Sequence, residues 1–250
     1  MPYNLSKGSL LFKREKSSYN IGFGSIRGSL AALSDEKRDL LHKLENQKLA
    51  DFKFDKRKHS YLLGRLSAKI AISTINKQLS YDLLISEGIF SFPVIKNLTG
   101  NHLQLSISHC DDIGMTLAYP EEHPVGIDIE RVNEKSKDAL YSIVNEQEKM
   151  LLGELPVSEI EGLGIAWTVK EALSKILRTG MMMDFSNFEI SKITQNGHIF
   201  TSEYKHASQY KAISFFNAPY MISLAVPGRS ELDTDQLTAL IINILESEPQ

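Results

Sequence analysis

The sequence predicts an α+β fold in two similar halves, each made of helices followed by antiparallel strands. Three observations carry this expectation. Sequence with helical spacing precedes alternating strand sequence twice, the two passages meet at a loop from Pro120 to Pro124, and tight-turn signals such as Asn196-Gly197 separate the strands. The halves are expected to be two lobes, residues 1–122 and 123–250.

Residues 34–80 carry helical spacing with a polar break near Asp51 to Lys58, and Leu83 to Ala118 reads as strands. Within that stretch Leu103, Leu105, Ile107 and His109 alternate with Gln104, Ser106 and Ser108. Cys110-Asp111-Asp112 then turns the chain into Ile113, Met115, Leu117 and Tyr119. Beyond the proline loop come a strand at Val125 to Val132 and helical sequence over about Ser136 to Leu152 and Ile165 to Leu177. Four more strands follow at Phe188 to Thr194, Ile199 to Tyr204, Tyr210 to Phe216 and Met221 to Val226. Asp233 with Gln236 has the form of a capping box opening an amphipathic helix through Leu245. No residue-level repeat between the halves is visible.

With 42% apolar residues in a chain of 250, a real core can form. The 28 basic and 31 acidic residues leave a net charge of −3, so no bulk positive field exists to hold a nucleic-acid backbone, and any anion site must be local. A single cysteine, Cys110, excludes an internal disulfide framework or a zinc site of several thiolates and fits a reducing, cytoplasmic setting. Met1 to Leu11 has no long apolar core, and no window approaches the roughly 18 apolar residues of a membrane span, so neither a leader nor a membrane partner is expected.

Strand periodicity in Val125-Gly126-Ile127-Asp128-Ile129-Glu130 puts the three apolar residues on one face and Gly126, Asp128 and Glu130 on the other. An ordinary strand with a solvated outer face accounts for this pattern. A site also accounts for it, provided a third ligand joins. Two carboxylates about 4 Å apart repel by roughly 4 kcal/mol at an effective dielectric of 20, which favours a bound cation or a raised pKa. Oxygen donors alone favour magnesium.

In Ile165 to Leu177, helical spacing gives a core stripe of Val169, Ala172, Leu173 and Ile176 and an opposite face of Trp167, Lys170, Glu171, Ser174 and Lys175. A surface helix with one Glu-Lys pair explains the charges but leaves the lone tryptophan unexplained; on a charged face, Trp167 needs something that covers it.

Val125-Gly126-Ile127-Asp128-Ile129-Glu130 and Trp167-Thr168-Val169-Lys170-Glu171-Ala172-Leu173-Ser174-Lys175 together resemble the paired signature of the two-lobed phosphopantetheinyl transferases, the type that activates surfactin synthetase. Weaker likeness extends over about residues 34–226, through Gly64-Arg65-Leu66-Ser67-Ala68-Lys69, Pro93-Val94-Ile95 and Ser106-Ile107-Ser108-His109. The resemblance implies a pseudo-dimer of two α+β lobes with coenzyme A in the cleft between them. It implies transfer of the phosphopantetheine arm to a serine of an apo acyl or peptidyl carrier protein. Asp128, Glu130 and Glu171 would hold Mg2+, Lys175 would contact the transferred phosphate, and Glu171 would accept the serine proton. Lys170 would add a second positive contact or fix Glu171. Arg65, Lys69, Pro93, Ser108 and His109 would bind the coenzyme. The family often has Gly-Lys-Pro where this chain reads Ser91-Phe92-Pro93, so a lysine contact is missing unless Lys96 or backbone amides replace it.

Lys58, Arg65 and Lys69 share one helical stripe suited to a phosphate, and a solvated basic face is the alternative. The basic run from Lys53 to Lys58 reads as a solvated turn. His109 beside Cys110 makes a poor nucleophile pair, because neighbouring strand residues point to opposite faces. Met181-Met182-Met183 either fills core or forms a patch that docks the carrier. Two other functions stay open: a protein that binds coenzyme A or a carrier without transfer, and a magnesium-dependent pyrophosphate hydrolase. Two lobes in one chain are expected to work as a monomer.

Overall fold

The computed structural model describes residues 3–37, 40–76, 83–89, 92–97, 102–179 and 183–247. It separates into a first unit, Met1–His123 with Glu231–Gln250, and a second, Pro124–Ser230. The first contains β1 (Tyr3–Arg14), β2 (Ser17–Gly28), α1 (Leu30–Lys37), α2 (Lys43–Asp51), α3 (Asp55–Ile75), β3 (Leu84–Glu87), β4 (Pro93–Lys96), β5 (Leu103–Cys110) and β6 (Ile113–Pro120). The second contains β7 (Gly126–Arg131), α4 (Lys137–Tyr141), α5 (Glu146–Gly153), α6 (Glu159–Leu177), β8 (Ile190–Asn196), β9 (Ile199–Tyr204), β10 (Tyr210–Asn217) and β11 (Tyr220–Pro227). The chain then returns to the first unit as β12 (Glu231–Leu232) and α7 (Thr234–Leu245). Both large sheets are antiparallel, ordered β12-β1-β2-β6-β5 and β7-β11-β10-β9-β8, and β3-β4 form a separate hairpin. Among the described residues no helix is long and apolar enough to cross a membrane.

Two features depart from the sequence reading. The β1-β2 hairpin is absent from the sequence reading, because glycines interrupt the apolar alternation of β2. Those glycines are what the packing requires. A Cβ on Gly22 would stand 2.1 Å from the carbonyl oxygen of Ala71, and one on Gly24 would stand 2.3 Å from the Ala71 nitrogen, so α3 crosses β2 at backbone contact. The second concerns residues 231–250, expected in the C-terminal lobe. β12 pairs with β1, and Ser6 Oγ and Arg27 Nη1 donate to the carbonyls of Leu240 and Leu245 at 2.6 and 2.7 Å, tying α7 to the first unit. Asp233 does cap α7, but Gln236 turns its amide to Ser9 O at 3.2 Å instead of closing the box.

The two units repeat one plan: strand, short helices, long helix, then four antiparallel strands. The repeat reaches individual side chains. Gly126, like Gly22, lies under the long helix of its unit, with a Cβ position 2.0 Å from Ala172 O. Ser67 hydrogen-bonds Thr116 at 2.8 Å in the first unit, and Thr168 hydrogen-bonds Ser223 at 2.6 Å in the second. Glu45 and Glu148 occupy the same place in the capping boxes of α2 and α5. Each accepts a strand amide, from Ile85 and Ile190 respectively, at 2.9 Å. Each also meets a buried lysine of the long helix, Lys69 at 2.9 Å and Lys170 at 2.8 Å.

In this register Gly24, Ile26, Leu66, Ile70 and Thr74 of the first unit correspond to Asp128, Glu130, Trp167, Glu171 and Lys175 of the second. Gly126→Ala is expected to cost about 2–3 kcal/mol through overpacking, because the obstacle is a backbone carbonyl. Gly153→Ala, whose Cβ would meet nothing within 4 Å, is expected to be neutral or stabilising. Urea unfolding of the two variants checks the difference.

Candidate active site

The acidic face of β7 looks onto α6 and is not solvated. Asp128 is 3% exposed. Gly126 brings the helix close enough for Lys175 to reach the strand, where its ammonium donates to Asp128 Oδ1 at 2.7 Å and to Ile127 O at 2.8 Å. Glu171, one helical turn before Lys175, has a buried Oε1 with no hydrogen-bond partner among the described residues. Trp167, a further turn back, lines one small cavity with Glu130, its indole beside that carboxylate.

Negative charge is crowded here. Burial, followed by the charge of Asp128, pushes Glu130 up to about 7, against the opposing effects of Lys175 and the indole. Burial and then Asp128 also raise Glu171. Among the described residues no three such side chains converge tightly enough to enclose an ion as they stand. Their chemistry nonetheless fits a hard dication. All are oxygen donors, two are held above their usual range by burial and mutual repulsion, and Glu171 has a buried oxygen with no partner.

A second feature lies within the first unit. Arg57, Tyr61, Arg65, Glu87, Pro93 and His109 line a cavity of about 280 Å3. The Arg65 guanidinium lies 4.6 Å over the Tyr61 ring and 3.9 Å from Glu87 Oε1, and its Nε is buried with no hydrogen-bond partner among the described residues. Of the residues expected to bind the coenzyme, Arg65, Pro93 and His109 meet in this cavity. Sequence reasoning missed Arg57 and Tyr61, although their four-residue steps to Arg65 on one helix were available as a signal.

Residues 124–225 match the family model of the 4'-phosphopantetheinyl transferase superfamily. The match takes in Asp128, Glu130, Glu171 and Lys175, whereas the cavity around Arg65 lies outside it. A curated relative, the 4'-phosphopantetheinyl transferase gsp of Aneurinibacillus migulanus, is 31% identical over 91 residues, which cover 36% of this chain and 38% of that protein. The chain therefore matches well under half the length of this relative.

Three expected site residues are placed elsewhere. Lys170 is fully buried, bonded to Glu148 and to Ile143 O at 2.8 Å, because α5 and the start of β8 cover that side of α6. Lys69 repeats this arrangement against Glu45 and Leu83 O, and burial lowers its pKa while Glu45 opposes the shift. Ser108 is buried and faces away from the cavity that Ile107 and His109 line, as strand alternation demands. Met181, Met182 and Ser91 lie outside the described residues; Met183 is 37% exposed.

Lys170→Met is expected to cost about 3–5 kcal/mol, since it leaves Glu148 buried without its cation. Turnover per folded molecule should stay within a few-fold of the parent. Denaturant unfolding, paired with activity corrected for the folded fraction, checks both outcomes.

Proposed function

We propose that the protein transfers 4'-phosphopantetheine from coenzyme A to a serine hydroxyl of an acyl or peptidyl carrier protein and releases 3',5'-ADP. One observation carries this reading. Asp128, Glu130, Glu171 and Lys175 gather on β7 and α6 inside the segment that matches the superfamily. Asp128, Glu130 and Glu171 are the residues to hold magnesium, which when bound screens the charge of a pyrophosphate.

The reaction forms a bond from the serine oxygen to the β-phosphorus and breaks the bond from that phosphorus to the bridging oxygen, whose electron pair leaves with 3',5'-ADP. Glu171, with a raised pKa and an oxygen lacking a partner, is suited to take the serine proton. Lys175 already lies against a carboxylate oxygen and is suited to stabilise charge on the leaving side. Arg57, Arg65 and His109 supply cationic and hydrogen-bonding groups for a phosphorylated nucleotide.

A coenzyme-binding protein without transferase activity is the second reading, favoured by Phe92 before Pro93 where the family often has lysine. Intact-mass spectrometry of apo carrier proteins incubated with the protein, coenzyme A and magnesium separates the two. A gain of one phosphopantetheine that a chelator abolishes is expected; bound coenzyme with unmodified carriers would favour the second reading. Glu171→Gln should keep the fold and lower turnover by about 100-fold or more, as read by the same assay and by circular dichroism.

A further inference from the structure

Glu130, unlike Asp128, lines a cavity. Asp128 is held by Lys175, and Glu171 is fixed on the helix, but Glu130 lies near the end of β7 beside a cavity of about 180 Å3. Val132, Leu140, Gly164 and Trp167 also line that space, so the carboxylate has room to turn. Trp167 lines the same space, which puts its indole, a donor only, beside the carboxylate. The ring itself is fixed: Phe185 packs edge-on against it at 5.4 Å, and Phe188, 1% exposed, packs on Phe185 at 6.1 Å.

The first unit is an internal control for this pair. Where the second unit has Glu130, the first has Ile26; where the second has Trp167, the first has Leu66. Ile26 and Leu66 belong to one buried apolar cluster. The two positions therefore change together between units, from an apolar contact to a carboxylate beside an indole. General packing does not require an indole at this place, since leucine fills the equivalent one.

We propose that Trp167 is a positioning residue whose indole N–H holds the Glu130 carboxylate in the orientation in which it joins Asp128 and Glu171 around a magnesium ion. This rests on the magnesium reading above. Groups that orient metal ligands from behind typically change metal affinity by about 10–100-fold when removed.

The test compares the protein with Trp167→Phe, which keeps an aromatic ring and removes the donor. Magnesium chloride is titrated calorimetrically into each in the presence of coenzyme A. The variant should bind magnesium about 10-fold or more weakly, while its turnover at saturating magnesium and its metal-free melting temperature stay close to those of the parent. Equal magnesium affinity, or a turnover defect that saturating magnesium does not restore, would overturn the proposal.

Because Trp167 is the single tryptophan, its fluorescence in the unaltered protein gives an independent readout even if the variant fails to fold. Emission should change with magnesium at the calorimetric midpoint and not change in Glu130→Gln. Emission blind to magnesium that calorimetry sees bound would overturn the indole's role and leave the metal reading standing. No magnesium uptake by the unaltered protein would sink the metal reading, and the proposal with it.

Discussion

Backbone contact between a long helix and a strand is the constraint on which the rest of each unit depends. At Gly22 and Gly126 even one methyl group would meet a helix carbonyl oxygen near 2 Å. Removing the side chain lets helix and strand pack at their closest, and in the second unit that closeness has a chemical consequence. It brings the ammonium of Lys175 into hydrogen-bonding range of Asp128 and sets the indole of Trp167 beside Glu130. A wider spacing would admit water and weaken every charge interaction in the cluster.

The same frame serves both units, but only one carries charge on its inner face. Buried pairs between Glu45 and Lys69 and between Glu148 and Lys170 join a short helix, a long helix and a strand in each unit. These pairs are fully enclosed and hydrogen-bonded, the condition under which burying opposite charges is tolerable. The face beneath the helix differs: glycine, isoleucine, leucine, isoleucine and threonine in the first unit stand in place of aspartate, glutamate, tryptophan, glutamate and lysine in the second. The repeat thus separates residues that maintain the fold from those proposed to do chemistry.

The acidic cluster is electrostatically frustrated by design of its surroundings. Burial and mutual repulsion hold Glu130 near 7 and raise Glu171, and a single lysine answers only part of the negative charge. A site of this kind gains most from a small, hard cation, whose charge offsets the repulsion and whose preference for oxygen matches the donors. The cavity around Arg65 has the opposite character, with guanidinium groups stacked on aromatic rings and available to an anion.

Period alone made most elements legible. The strand from Ile199 to Tyr204, the turn at Asp111-Asp112 and the joint alignment of Asp128 with Glu130 and of Trp167 with Glu171 and Lys175 follow from repeats of 2.0 and 3.6 residues, which local sterics impose. The hairpin of β1 and β2 was not legible, because its glycines answer a helix distant in sequence. Nor were the buried roles of Lys69 and Lys170. A helical wheel ranks them with their charged neighbours, yet what decides each is a glutamate that only tertiary folding brings to it. The sequence by itself determined which residues share a face; the tertiary structure alone decided which faces are covered and by what, because burial and pairing depend on contacts between segments that no local period encodes.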